Sequence, residues 1–212
     1  MLPIMTSQFN EKQICILQVT EKLFAEKGFD GTSIRDIAKA AKINIAMVSY
    51  YFGSKDKMLE ALVLYRTDDL SIQIENLIRE PLSPIDKISR LVDLYLTRIN
   101  HNKDIYKIIH FELSSKKRIM KFESFTQVKK RNSASMKLII SEGQIRGIFN
   151  ADVNIDLLVP TILGTFFHFQ MNRPYYEDIL NLHTDEAFEN YVKNDLTKHI
   201  QQTIKAILLY EM

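Results

Sequence analysis

The residues from 44 to 50 carry side chains suited to touching a nucleic acid rather than to making or breaking covalent bonds. They combine small groups with an amide, a hydroxyl and a phenol, and they are Asn44, Ile45, Ala46, Met47, Ser49 and Tyr50. Small side chains let a helix lie close to base edges in the major groove, where amides and hydroxyls can hydrogen bond. The segment has no arginine and no interior asparagine to bind a base with two hydrogen bonds, so we expect few base contacts, and partly apolar ones.

A second group of side chains, on either side of this segment, could hold phosphate groups. Thr32 and Ser33 precede one predicted helix, and Ser54 and Lys55 begin another. The free backbone N–H groups and the dipole at a helix N-terminus favour an anion. With the Tyr51 hydroxyl between the two helices, the expected phosphate contacts are Thr32, Ser33, Tyr51 and Lys55. In the plainer alternative, Tyr51 is a core residue with an exposed tip and Lys55 is a solvated residue at a helix start.

A helix-turn-helix must position these residues, and its apolar pattern is present. This motif needs an apolar and then a small residue on its first helix, and further apolar positions after the turn. The sequence supplies them at the required offsets in Ile37, Ala38, Ala41, Ile43, Val48 and Tyr51. Lys42 stands at the turn position that usually holds a left-handed glycine. The cost of a non-glycine residue there is on the order of 1 kcal/mol, which a packed unit of three helices can absorb.

Polar side chains that cap helix N-termini divide the first 80 residues into four predicted helices. Gln13 and Asp36 complete capping boxes at the first two, because each can bond back to the residue three positions earlier. Gly28 and Gly53 end the first and third helices. The capping residues are Asn10, Ser33, Asn44 and Ser54.

The rest of the chain is predicted to form five further helices and no strand, which gives an all-α fold of about nine helices. The last helix is predicted over about Asp185–Tyr210. The others begin near Pro84, Asp104, Met120 and Asn154. Gly143 and Gly147 are expected to break the helix that begins near Met120. The segment Asn172–Thr184 is expected to be a flexible loop.

The composition is that of an ordinary globular chain. Of 212 residues, 46% are hydrophobic and 25% are charged, while six Gly and five Pro favour long helices over tight turns. The net charge of +2 lies entirely within residues 1–66, a weak electrostatic sign of an anionic partner. No signal peptide is readable, and the longest apolar stretch, Ile155–Phe169, is interrupted by polar residues. The single cysteine, Cys15, is expected to be a buried thiol, and the protein is expected to be cytoplasmic.

The stretch Gly31–Leu59 resembles the DNA-binding segment of the TetR family of regulators. It reads GTSIRDIAKAAKINIAMVSYYFGSKDKML; its opening is similar to the family pattern T-[TS]-x-x-x-I-A and its end to Y-x-F-x-[SN]-K-x-x-L. The runs FAEKGFDG at Phe24–Gly31 and EGQIRGIF at Glu142–Phe149 also resemble the family. The chain departs from the family at Lys42, where glycine is usual, and at Ser49, where tyrosine is common.

This resemblance implies a homodimer, usually a repressor, that leaves its DNA operator when a small-molecule effector binds the C-terminal domain. Carried over by position, it implies phosphate contacts by Thr32, Tyr51 and Lys55. It also implies that Asn44–Tyr50 faces the major groove.

We expect residues 1–54 to form the helix-turn-helix DNA-binding domain and residues 55–212 a helical domain for effector binding and dimerisation. The apolar helix near Asn154–Met171 and the last helix would pair in two copies as a four-helix interface, although both could instead complete an intramolecular core. Aromatic, histidine and methionine side chains could line an apolar effector pocket, with plain core residues as the alternative. They are Tyr106, His110, Phe111, Phe125, Met136, Phe166 and Met171.

No catalytic, cofactor or metal site is predicted. The five histidines lack metal-ligand spacing, and no nucleophile elbow, phosphate-binding loop or Cys-x-x-Cys pair is present. An enzyme on a helical bundle and a protein-interaction module with a vestigial helix-turn-helix are the competing hypotheses. The stretch Lys116–Lys137 holds eight basic residues and one acid. We interpret it as a solvated helix face, with attraction of an anionic effector or flanking DNA as the alternative.

Overall fold

The computed structural model describes residues 9–114 and 123–209 of the chain. All regular elements in these ranges are helical, which confirms the all-α prediction. The α-helices are α1 (Glu11–Lys27), α2 (Ile34–Ala40), α3 (Ile45–Phe52), α4 (Lys55–Arg79), α5 (Pro84–His101), α6 (Lys103–Ser114), α7 (Glu123–Ile145), α8 (Leu158–Met171), α9 (Arg173–Ile179), α10 (Asp185–Tyr191) and α11 (Thr197–Leu208). A 3-10 turn (Ile155–Leu157) precedes α8, and a π-helical stretch (Val192–Leu196) joins α10 to α11.

The contacts divide the chain into two compact bodies. Of the described residues, the first body contains 9–72, 99–114 and 123–131, and the second contains 73–98 and 132–209. The division passes through α4, α5 and α7. The boundary expected at residue 54 separates DNA binding from effector binding and dimerisation, not one set of contacts from another. It stays a prediction.

Helices α1 to α3 and the start of α4, which we call the head (residues 9–63), share one apolar core in the first body. The core takes large side chains from each helix and a small one, Ala38, from α2. The predicted caps are confirmed at α1, where Asn10 and Gln13 exchange hydrogen bonds of 2.9 Å. Buried members of the core are Ile16, Leu17, Phe24, Phe29, Ile37, Ala38, Val48, Phe52, Met58 and Leu59.

Cys15 is exposed, so the prediction of a buried thiol is wrong. The buried face of α1 follows Ile16, Thr20 and Phe24, which stand four residues apart. Thr20 can occupy this apolar face because its hydroxyl donates to the Ile16 carbonyl at 2.8 Å. Cys15 therefore lies outside the buried face. The sequence pattern had placed it on that face because it counted only apolar residues.

The core of the second body includes α8 and the continuous rod from α10 to α11, which contact each other through α11, together with side chains from α4, α5 and α7. On α8 the side chains of Leu158, Ile162, Phe166 and Phe169 are buried. On the rod, the buried side chains are Phe188, Val192, Leu196, Ile200, Ile204 and Leu208. The apolar stripe of the last helix is thus used within one chain, which favours the intramolecular alternative for that stripe.

The segment expected to be a flexible loop, Asn172–Thr184, contains the helix α9, and this prediction is wrong. Proline at the second position of a helix is well tolerated, and Pro174 stands there. The Phe169 ring stacks on Tyr176 at 4.4 Å, and Arg173 donates to Glu177 at 2.6 Å and pairs with Asp185. These contacts add one helix to the nine expected, so the described residues contain ten helical rods if α10 to α11 is counted as one.

Gly143 does not break α7, contrary to expectation, and the helix continues to Ile145. A Cβ atom at Gly143 would lie 2.1 Å from the Phe149 ring, which is buried. The glycine therefore makes room for an aromatic ring that folds back on the helix. Gly147, with φ of 68°, lies in the turn that follows.

Candidate nucleic-acid interface

The turn between α2 and α3 has the geometry that the helix-turn-helix pattern predicts. Lys42 adopts a left-handed conformation with φ of 55°, the conformation for which glycine is usual. The Ile43 N–H then donates to the Ala38 carbonyl at 3.0 Å, which brings the start of the second helix against the small residue of the first. Ile37, Ala38 and Val48 are buried. The six apolar positions therefore form the interior of the motif, with Ala41, Ile43 and Tyr51 half-buried.

Helix α3 turns one side to the solvent, and this side carries most of the residues expected in the groove. Asn44 caps the helix, since its Oδ1 accepts the Ala46 N–H at 2.9 Å. Ile45 is 43% exposed and Tyr50 is 83% exposed, so both side chains present apolar surface to the solvent on this side of α3. Ala46 and Ser49 are also exposed, whereas Met47 is half-buried.

Tyr51 lies at the border between this surface and the core. Its ring meets Tyr50 edge-on with ring centres 5.3 Å apart, and the next residue, Phe52, is buried. The ring packs against the head core, and the side chain remains partly accessible. A core role and a surface role are therefore compatible for Tyr51.

Thr32 and Ser33 do not offer free hydroxyls to a phosphate, which corrects the expectation for their side chains. Thr32 is 1% exposed, and its hydroxyl points to the carbonyls of Leu23 and Gly28 at 3.1 and 2.8 Å. Ser33 is exposed, but its N–H and hydroxyl both donate to the Asp36 carboxylate. These bonds hold the pKa of Asp36 below its ordinary value, so a negative charge occupies the start of α2.

The Lys55 ammonium is turned into the head rather than towards the solvent. Its Nζ donates to the carbonyls of Phe29 and Thr32, each at 2.8 Å. The same nitrogen lies 4.3 Å from the centre of the Phe29 ring. The expectation that this ammonium is free to hold a phosphate is therefore not supported by its contacts.

Two exposed lysines beside α3 were not among the predicted contacts. Lys42 lies two residues before the cap of α3, and Lys57 lies in the first turn of α4. Sequence reasoning treated Lys42 only as a misfit in the turn, and it chose Lys55 for its position at a predicted helix start and in the family pattern. Only the contacts show that the ammonium of Lys55 is engaged by the protein.

The residues expected to line an effector pocket are divided between the two bodies. In the first body Phe125 is buried and Tyr106 half-buried, and both belong to or pack against the head core. In the second body Met136 and Phe166 are buried. The remaining three side chains are exposed, so the structure does not enclose them as pocket residues: His110, Phe111 and Met171.

Two cavities in the described structure have linings rich in charged residues. The first, of about 580 Å³, lies in the first body beside the Glu21–Arg66 ion pair, whose atoms are 2.6 Å apart. The second, of about 610 Å³, lies in the second body beside Lys87 and Glu142. None of the seven predicted effector residues lines either cavity.

The basic stretch Lys116–Lys137 falls partly outside the described residues. Within the described part, the Lys129 ammonium lies 4.6 Å from the centre of the Phe125 ring, and burial lowers the pKa of this lysine. Arg131 pairs with Asp68 at 3.5 Å. These two charges therefore have contacts within the first body.

Across residues 9–114 and 123–209, no group of three His, Cys, Asp or Glu side chains is placed to hold a metal ion. In the same part of the chain, no helix is both long enough and apolar enough to cross a membrane.

Comparison with known families gives a match over most of the chain. Residues 16–62 match the model described as bacterial regulatory proteins, tetR family. Residues 84–204 match the model described as tetracyclin repressor-like, C-terminal domain. The first match covers the helix-turn-helix, and the second begins with α5 and ends within α11.

Individual proteins agree with these matches. The chain is 29% identical over 168 residues to the HTH-type transcriptional repressor KstR2 of Mycolicibacterium smegmatis, covering 78% of this chain and 80% of that protein. The fold is similar to FadR of Bacillus subtilis in complex with stearoyl-CoA, with a TM-score of 0.71, 16% identity, and 90% and 96% of the two chains covered. It is also similar to the ketosteroid regulator KstR2 of Mycobacterium tuberculosis, with a TM-score of 0.64, 19% identity, and 96% and 98% covered.

Proposed function

The chain belongs to the TetR family and is a DNA-binding transcriptional repressor released by a small-molecule effector; from this we propose that two copies bind a duplex operator through α3. In this proposal residues 1–54 form the DNA-binding domain, with one further phosphate contact from Lys57 in the first turn of α4, and residues 55–212 bind the effector and the second copy. The protein acts by binding rather than by catalysis, in the bacterial cytoplasm where the operator lies.

The observation that carries the proposed DNA contact is the exposed side of α3. A short helix that exposes Ile45 and Tyr50 loses apolar burial unless a partner covers these side chains. The neighbouring Ala46 and Ser49 are small enough for close approach to bases. We infer that Asn44, Ile45, Ala46, Met47, Ser49 and Tyr50 face the major groove.

The phosphate contacts in this proposal come from groups that remain at the surface. Lys42 precedes α3 in the chain and Lys57 follows it, both are exposed, and Tyr51 lies between them along the chain. Each phosphate that a lysine neutralises adds about −0.9 to the slope of log affinity against log salt concentration, whereas a contact from the neutral Tyr51 hydroxyl adds nothing. Lys42, Lys57 and Tyr51 therefore replace Thr32, Ser33 and Lys55 as the side chains that we expect to hold phosphates.

A binding experiment tests the proposed contact surface. The operator is selected from random duplexes with the wild-type protein, and affinities for operator and random duplex are measured by fluorescence anisotropy. Tyr50→Ala should reduce the preference for the operator about tenfold, since it removes a contact to the bases. Tyr175→Ala, at an exposed tyrosine of the second body, is the matched control and should change nothing. Absence of duplex binding by the wild-type protein at 50 mM salt would sink the proposal.

The second copy is proposed to pack against the exposed side of α8. Leu157, Gly164 and Met171 stand seven residues apart, so they lie along one side, and all three are exposed. A Cβ at Gly164 would meet no atom within 4 Å, so no contact within the chain requires this glycine. A glycine in mid-helix costs about 1 kcal/mol relative to alanine, and close approach of a second α8 would offset that cost.

The dimer proposal is tested by measuring the molar mass of the protein in solution by light scattering. Gly164→Phe should give a monomer, because a ring at the crossing point would hold the helices apart. Ala151→Phe adds the same ring at an exposed position of the second body and should leave a dimer. A wild-type monomer, or a dimer that survives Gly164→Phe, would contradict the proposed interface.

The effector is proposed to be largely apolar. Met136 and Phe166, which are both buried in the second body, remain the candidate contacts. FadR of Bacillus subtilis binds stearoyl-CoA in its solved complex, which makes this compound a suitable first probe. If it is an effector, stearoyl-CoA should raise the melting temperature and release the operator, and Phe166→Ala should weaken both effects while Tyr175→Ala should not.

A further inference from the structure

Lys55 has more contacts inside the head than a surface lysine at a helix start needs. Its ammonium spans from the first residue of α4 to two carbonyls of the loop between α1 and α2, on Phe29 and Thr32. The Phe29 ring, which is 2% exposed, lies under the same nitrogen. The positive charge is thus balanced by two carbonyl dipoles and the negative face of an aromatic ring.

The loop that Lys55 contacts follows a path that requires glycine at two positions. Gly28 has φ of 73°, and a Cβ at Gly31 would lie 2.3 Å from the Lys27 carbonyl oxygen. The Thr32 hydroxyl bonds to the carbonyls of Leu23 and Gly28. Without Lys55, the Thr32 carbonyl would lose the ammonium as its hydrogen-bond donor at the residue just before the cap of α2.

We propose that Lys55 is a positioning residue that ties the start of α4 to the start of α2, and so sets the direction of α3, rather than a residue that holds a DNA phosphate. The Thr32 carbonyl is one residue from Ser33, the cap of α2, and α3 packs on α2 through Ala38. Two links therefore connect Lys55 to α3. The first is the junction of Thr32 with the α2 cap, Ser33, and the second is the packing of α3 on α2. This inference rests on the proposed function of α3.

The two roles predict different salt dependence. A phosphate contact releases counterions, and its loss lowers the slope of log affinity against log salt by about 0.9 per copy, or about 1.8 for two copies. A tether releases none, because its charge stays in the same contacts with and without DNA. Its loss instead loosens the head and reduces the preference for the operator over random duplex.

The experiment compares Lys55→Met with Lys57→Met, a matched variant that removes an exposed lysine of the same helical turn. For Lys55→Met we expect an unchanged salt slope, a melting temperature lower by about 4 °C or more, and an operator preference reduced about tenfold. For Lys57→Met we expect an unchanged melting temperature. A Lys55→Met protein with the wild-type melting temperature would overturn the inference, whatever its salt slope, and so would a slope lowered by about 1.8.

Lys55→Arg provides a second test that does not depend on the folding of Lys55→Met. Arginine keeps the charge and holds phosphates well, but a planar guanidinium does not reproduce a single nitrogen between two carbonyls and a ring. We expect Lys55→Arg to lose operator preference and to retain the slope. Operator binding equal to that of the wild type would show a phosphate contact instead. If the wild-type chain binds no duplex, the proposed function fails, which is a different outcome from either of these.

Discussion

The helix-turn-helix and the second body are both helical, but they are held together over very different distances along the chain. In residues 32–54, each helix start is fixed by a partner two or three positions away, as in Ser33 with Asp36 and Asn44 with Ala46. In the second body, Lys87 bonds Glu142 at 2.8 Å, and Gln201 bonds Asp93 at 2.8 Å, across 55 and 108 residues. The helix-turn-helix is therefore encoded locally, whereas the second body is not.

The largest effect is expected at Gly143. The residue that can be tolerated there depends on the Phe149 ring, six residues further along the chain. Gly143→Ala should destabilise the second body by about 3 kcal/mol, because its Cβ would overlap the buried Phe149 ring. Urea unfolding measures the loss. The double variant Gly143→Ala, Phe149→Leu should recover part of it, since the smaller side chain can move away. A neutral Gly143→Ala would show that the ring packs elsewhere.

The ion pair of Lys87 and Glu142 gives a smaller effect that depends on pH. The Lys87 ammonium, which also bonds the Ile78 carbonyl, holds the pKa of Glu142 below its ordinary value. A carboxyl with a lower pKa in the folded state stabilises the fold at neutral pH, and this stability is lost as the pH falls through that lowered pKa. Glu142→Gln should cost about 2 kcal/mol at pH 7.

The same difference between Glu142→Gln and the wild type should begin to shrink as the pH falls below the ordinary glutamate pKa of about 4.3, and it should vanish only below the lowered pKa of the folded state, where both carry a neutral group. Glu80→Gln, at an exposed residue lining the same cavity, is the control and should change stability little at any pH. Thermal denaturation across this pH range measures both. A difference that stays constant with pH would show that the carboxylate charge does not contribute.

In the head, the loss of a local cap should be smaller and confined to its own helix. Ser33→Ala removes the hydroxyl that accepts the Asp36 N–H and should cost about 1 kcal/mol. Ser89→Ala, whose hydroxyl only bonds the Ile85 carbonyl within α5, should be close to neutral. Hydrogen exchange should show faster opening of α2 alone in Ser33→Ala. Faster exchange throughout the second body in Ser33→Ala would contradict the conclusion that this cap acts only on its own helix.

The smallest expected effect has the opposite sign. Lys42→Gly should stabilise the head by about 0.5 kcal/mol, because glycine adopts the observed φ of 55° without strain. Lys39→Gly, three residues earlier in α2, should instead destabilise it by about 1 kcal/mol, since glycine is a poor helix former. Melting curves of the two variants provide the comparison. Equal shifts for both would mean that the turn at Lys42 carries no strain.

The sequence predicts the features whose causes lie within a few residues, and it does not predict those that depend on more distant residues. The caps at Asn10, Ser33 and Asn44 and the left-handed turn at Lys42 are confirmed because their causes lie within a few residues. Helix α9 could not be predicted, because its stability depends on rings that lie before and after it in the chain, such as Phe169 and Phe188.

The candidate site was predictable as a surface but not atom by atom. The spacing of apolar residues identified α3 and its exposed side, since burial on one side of a helix defines the other. It could not show that the hydroxyl of Thr32 and the ammonium of Lys55 bond to main-chain carbonyls, because those carbonyls belong to a loop whose path depends on Gly28 and Gly31. A family pattern records which residue types recur and not where their polar atoms point.

The exposed thiol on α1 has a practical consequence. The chain has one cysteine, and it lies at the surface of the head. A maleimide dye should therefore attach at a single defined position of the native sequence, with no engineered site. Energy transfer from that dye to one on an oligonucleotide would then report docking, and its loss on adding a compound would turn the unaltered protein into a sensor for finding what it responds to.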